Sequence, residues 1–109
     1  MARLPHYLKA YRKRSGLSQE DVAFLLGVQS GAKLCRYERY LRLPSIQTAL
    51  ALELIFCTPV SDIFAGLFDQ IDAEVRSRAK KLLAKDPTSE SRRNQILQAI
   101  INGDTNFFS

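Results

Sequence analysis

The sequence predicts an all-α protein, and three observations lead there. Apolar residues recur at spacings of three and four along nearly the whole chain. No segment alternates polar and apolar residues over the length of a strand. Serines and glycines fall at the ends of the apolar runs, where they close helices.

Taken in order, Leu4, Leu8 and Tyr11 share one face of a first helix that ends near Ser15-Gly16, because glycine adopts the left-handed conformation without a Cβ penalty. Ser18-Gln19-Glu20-Asp21 fits a capping box, in which the Ser18 hydroxyl accepts from the third helical amide and Asp21 reaches back. The second helix, Gln19 to Leu26, is expected to bury Val22, Leu25 and Leu26. Gly27 permits a sharp turn into a third helix, Ser30 to Arg39, which buries Leu34 and Tyr37 and part of Cys35. Ser45, after Pro44, caps a fourth helix with Ile46, Ala49, Leu50 and Leu54 on its apolar face. Thr58-Pro59 starts a short fifth helix, and Ile63, Phe64 and Phe68 extend the core. Beyond Phe68 the chain becomes more charged. Asp69 to Lys85 reads as an amphipathic helix with Ile71, Val75, Leu82 and Leu83 on one face, ended by Asp86-Pro87. Glu90 to Asn102 is the last, striped by Ile96, Leu97, Ile100 and Ile101.

With 109 residues, 46 % apolar and 25 % charged, the composition is that of a globular domain too short for the large catalytic folds. No stretch approaches the roughly 20 apolar residues of a membrane helix, and the Met-Ala-Arg start has no secretory pattern, so a cytoplasmic protein is expected. Cys35 and Cys57 have neither zinc nor disulfide spacing and read as buried or half-buried thiols. His6 stands alone and reads as a surface residue. Without a nucleophile elbow, a phosphate-cradling glycine loop or a metal cluster, no catalytic residue, metal or cofactor is expected.

Charge is unevenly distributed. Met1 to Pro44 carries nine Lys/Arg against Glu20, Asp21 and Glu38, or +6, while the remainder carries seven against eight, or −1. A basic half beside a neutral one suggests a face for a polyanion, since neutralising phosphates releases condensed counterions.

The run Gly16-Leu17-Ser18-Gln19-Glu20-Asp21-Val22-Ala23, then Gly27-Val28, Arg36-Tyr37-Glu38, Pro44-Ser45 and Val60 to Phe64 resembles the Cro/C1-type (XRE-like) helix-turn-helix repressors over about residues 4–68. The resemblance implies a five-helix, lambda-repressor-like domain at 1–68. Its third helix would enter the major groove of double-stranded DNA, often as a dimer on a palindrome. The helical extension at 69–109 lies outside it and is expected to serve dimerisation or partner binding. Its surplus Ile and Leu stripe needs a cover, which a second copy would supply.

What the resemblance implies for single residues is specific. Gln19 meets the backbone from the N-terminus of the second helix; Lys33 and Arg36 reach the major groove, Arg36 with the fork that reads guanine; Arg39 and Arg42 hold phosphates. The segment from Val28 to Glu38 is one residue longer than the common pattern, which puts Gln29 and Ser30 in an enlarged turn on the DNA side. Tyr40 stands where the family has glycine, so the turn there is expected to be rebuilt, with Tyr40 toward the sugar-phosphate backbone. Arg12 and Glu38 are placed as a structural ion pair. Two rival functions share this reading: an antitoxin that binds a toxin protein and represses its own promoter, and an RNA-binding domain, which lacks an aromatic stacking platform here.

Overall fold

A computed structural model describes residues 6–88 and 90–103. Among these residues there are seven helices and no strand: α1 (Leu8–Ser15), α2 (Gln19–Leu26), α3 (Gly31–Glu38), α4 (Ile46–Phe56), α5 (Val60–Ile63), α6 (Ala65–Lys85) and α7 (Arg92–Asn102). By its internal contacts the chain divides into two compact units, Met1–Phe68 and Asp69–Ser109. No helix of the described residues is long and apolar enough to cross a membrane.

Local chemistry sets the helix ends. Gly16 and Gly27 close α1 and α2 in the left-handed conformation, with φ of 78° and 77°. At Ser18 both halves of the capping box form, the hydroxyl accepting from the Asp21 amide at 2.9 Å and the Asp21 carboxylate from the Ser18 amide at 3.0 Å. Those bonds lower the Asp21 pKa. The hydroxyls of Ser30, Ser45 and Ser91 cap α3, α4 and α7 by accepting a first-turn amide, without the reciprocal half of a box, and Pro59 precedes the first residue of α5.

The first unit has one core, built on the fully buried Leu8, Val22, Leu34, Leu52 and Ile63 with Tyr37 and Phe64. Each such side chain contributes about 1.5–3 kcal/mol by leaving water. Tyr11, Leu17, Leu26, Ile55 and Phe56 pack around it. Leu4, expected on the α1 face, lies outside the described residues.

Several expected faces are corrected. Ile46, Leu50 and Leu54 of α4 are exposed, and Leu52, Ile55 and Phe56 hold the core instead. The sequence Ile-Gln-Thr-Ala-Leu-Ala-Leu-Glu-Leu-Ile-Phe is apolar nearly all round, so its spacing favours no single face. In α2, Leu25 is exposed and Ala23 is buried instead. Phe68 is half exposed rather than core. Cys35 is half-buried but Cys57 is exposed, as the left-handed C-cap of α4 with φ of 49°. His6 is half-buried rather than on the surface.

α6 begins four residues before the expected Asp69, at Ala65 in the first unit, and α7 two residues after Glu90. Ala79, Asn94, Leu97 and Ala99 are buried. The helices are joined by polar bonds: Asn94 Nδ2 donates to the Asp86 carbonyl at 2.6 Å, Arg76 Nη1 to the Ile101 carbonyl at 3.4 Å and Arg93 Nη2 to the Leu82 carbonyl at 3.4 Å. Asp72 pairs with Arg76 one turn on. Leu83, Ile96, Ile100 and Ile101 are half-buried, whereas Ile71, Val75 and Leu82 remain exposed.

Candidate nucleic-acid interface

α3 is eight residues long, and its position is set by side chains at both ends and behind it. At its C-terminus the Glu38 carboxylate is buried, with three donors around it. Arg12 gives two, Nε at 2.6 Å and Nη2 at 3.2 Å, and Gln19 Nε2 gives the third at 3.1 Å. Arg12 Nη1 also donates to the Leu17 carbonyl at 3.1 Å. One carboxylate therefore joins α1, α2 and α3, and its bonds raise the Arg12 pKa, so the guanidinium stays charged.

At the N-terminus, the Gly31 amide donates to Glu20 Oε1 at 2.9 Å. A Cβ on Gly31 would come within 2.8 Å of that oxygen and 3.2 Å of the Gln19 backbone, so this contact between α2 and α3 suits glycine. Sequence reasoning placed Glu20 only within the capping run. Its partner lies eleven residues away across a turn, and no local pattern announces that.

His6 supports the other side. Its Nε2 donates to the Tyr37 carbonyl at 3.0 Å, its Nδ1 accepts from the Leu8 amide at 3.4 Å, and its ring packs against Tyr40 at 4.2 Å and Phe64 at 5.1 Å. Burial lowers the His6 pKa, against the opposing pull of the Tyr37 carbonyl and the Glu38 charge. Tyr40 keeps the left-handed backbone at φ of 65°, so the turn is not rebuilt. The Leu41 amide donates to the Arg36 carbonyl at 2.9 Å across it. The ring contact with His6 holds a residue type that this conformation disfavours.

The outward surface of α3 contrasts with this supported back. Gln29, Ser30, Lys33 and Arg36 line one shallow open groove together with Gly27 and Ala32. Ser30 accepts from the Ala32 amide at 3.3 Å, and its own hydroxyl proton is left to donate elsewhere. Arg39, the C-cap of α3, and Arg42, in the loop beyond, are exposed and outside this groove. Gln19 is half-buried at the start of α2 and is also outside it, with its amide turned to Glu38. Four of the seven expected residues thus share one surface. Among the described residues, no group of His, Cys, Asp or Glu is arranged to hold a metal ion.

Residues 8–63, just over half of the chain, match the helix-turn-helix family. No curated protein and no solved structure matches it.

Proposed function

The chain belongs to the Cro/C1-type (XRE-like) helix-turn-helix family of DNA-binding transcription regulators, and we propose that it is a repressor reading a palindromic operator as a homodimer. The observation that carries this reading is the groove over α3, where Gln29, Ser30, Lys33 and Arg36 meet on a helix fixed by Glu20, Glu38 and His6. A helix held in this manner presents its side chains to base edges with little ordering cost on binding. In this reading Arg36 forks onto guanine O6 and N7, and Lys33, Gln29 and Ser30 address neighbouring bases or phosphates. Arg39, Arg42 and the N-terminus of α2 at Gln19 hold the backbone.

Residues 69–109 serve as the dimerising or partner-binding segment, a role favoured by the exposure of Ile71, Val75 and Leu82. A two-fold dimer would set two recognition helices roughly 34–36 Å apart, one turn of DNA. Selection of bound duplexes from a random pool by the full chain tests the reading. An enriched inverted repeat is expected; recovery of no shared sequence would refute it.

A second reading has its own support. Phe24, Ile46 and Leu54 in the first unit are 83 %, 76 % and 79 % exposed, and large exposed apolar side chains favour a protein ligand. An antitoxin that masks a toxin protein would fit. A toxic reading frame beside the gene, neutralised by co-expression of this chain, would select it.

A further inference from the structure

α6 carries two features that its fold does not consume. Its side-chain bond to α7, from Arg76 to the Ile101 carbonyl, lies on the side that bears Asp72 and the buried Ala79, with half-buried Leu83 in line, while Arg93 of α7 reaches only the backbone carbonyl of Leu82. Exposed Ile71, Val75 and Leu82 form a second stripe, at i, i+4 and i+11, which at 3.6 residues per turn lies roughly 90° round the helix from the first. Two faces so placed are what a helix presents to two neighbours in a four-helix bundle. Among the described residues only one of them is occupied.

The charges of α6 are also segregated along its length. Asp69, Asp72 and Glu74 make its first part −3, and Arg76, Arg78, Lys80, Lys81 and Lys85 make the rest +5. Two copies laid parallel would set acid beside acid and base beside base. Laid antiparallel, each acidic part meets a basic one.

We propose that the exposed stripe of α6 binds α6 of a second copy of this chain in antiparallel register, about a two-fold axis between Arg76 and Ser77. The proposal rests on the homodimer reading above and specifies its interface. In that register Ile71 meets the partner's Leu82, and Val75 meets the aliphatic stem of the partner's Arg78. Glu74, which accepts from Gln70 at 3.1 Å and has oxygen lone pairs to spare, comes opposite the partner's Ala79, two residues or roughly 3 Å along the axis from the partner's Lys81 and within reach of that long side chain, and the symmetry repeats the Glu74–Lys81 pair at the other end. A parallel arrangement in equal register would not bring Glu74 and Lys81 together.

Sedimentation equilibrium of the full chain at low ionic strength, with Glu74→Lys and Lys81→Glu, tests the register. Both positions are exposed, and unchanged helical circular dichroism verifies the fold. Each single variant converts two attractions into two repulsions and is expected to weaken self-association on the order of tenfold. Mixing the two in equal amounts is expected to restore it, because every Lys then faces a Glu. Single variants that associate like the wild type, or a mixture no tighter than its components, would overturn the antiparallel register while leaving a dimer in place. A wild-type chain that stays monomeric at micromolar concentration would instead overturn the homodimer reading and this interface with it.

Discussion

Arg12→Met is the most informative perturbation of the recognition helix, because it removes the cation from a carboxylate that has nowhere else to turn. The Glu38 side chain is only 2 % accessible, and two of its three donated bonds come from Arg12. Methionine keeps the aliphatic length of the stem and supplies no donor. Glu38 is then left with Gln19 alone, and an uncompensated buried charge of this kind costs about 3–5 kcal/mol. A small unit gains or loses about 1 kcal/mol per molar urea, so the unfolding midpoint is expected to fall by about 3–5 M. All four tyrosines, Tyr7, Tyr11, Tyr37 and Tyr40, lie in Met1–Phe68, so tyrosine fluorescence reports that unit without interference from the other. Adding Glu38→Leu to Arg12→Met removes the stranded charge, and the double variant is expected within about 1–2 kcal/mol of the wild type. A single-variant cost below about 1 kcal/mol would refute the reasoning, since the pair would then behave as a solvated surface bridge.

Other outcomes follow from the same geometry. Arg36→Ala is expected to cost about 1–3 kcal/mol on the selected site and much less on random duplex, whereas Arg42→Ala is expected to weaken both alike and to lower the salt slope by about one; titrations at several salt concentrations separate the two. Gln19→Ala removes a bond to buried Glu38 as well as a group at the N-terminus of α2, so both melting temperature and DNA affinity are expected to drop, and an unchanged melting temperature would show that the bond to Glu38 is worthless. Cys57→Gly relieves a left-handed residue whose side chain is exposed and is expected to stabilise the first unit by about 0.5–1 kcal/mol, read as a rise of a few degrees in melting temperature. The His6 pKa is lowered in the folded protein, so the unfolded chain binds the proton first: stability is full above the ordinary value of 6.5 and declines as pH falls from there through the folded pKa. Melting curves between pH 7.5 and 5 are expected to show that decline, and His6→Gln to flatten it.

What could be read from the sequence was local. Gly16, Gly27, Ser18 and Ser45 announce their helix ends because a cap is settled by residues within four positions of it. The exposed sides of α4 and α6 could not be read that way. In α4 apolar residues surround the axis, and in α6 the stripe of Ile71, Val75 and Leu82 is a regular amphipathic signal whose partner the described residues of this chain do not supply. The surface of α3 was legible because Gln29, Ser30, Lys33 and Arg36 are neighbours in sequence. The contacts that fix it were not, since Glu20 to Gly31, Gln19 to Glu38 and His6 to Tyr37 span 11, 19 and 31 residues.

Those long-range contacts also account for the basic character of the first unit. Only three acids lie between Met1 and Pro44, and each is turned to a structural task. Asp21 closes the capping box with Ser18, Glu20 binds the Gly31 amide, and Glu38 binds Arg12 and Gln19. Glu38 neutralises Arg12 inside the protein, away from the open side of α3. Glu20 and Glu38 bind the two ends of α3 from the protein side, while Lys33 and Arg36 line its open side. Glu38, buried behind the helix, is thereby withdrawn from the surface a phosphate would approach. A charge of +6 in the sequence then acts outward as positive potential, which favours encounter with DNA and strengthens as salt is lowered.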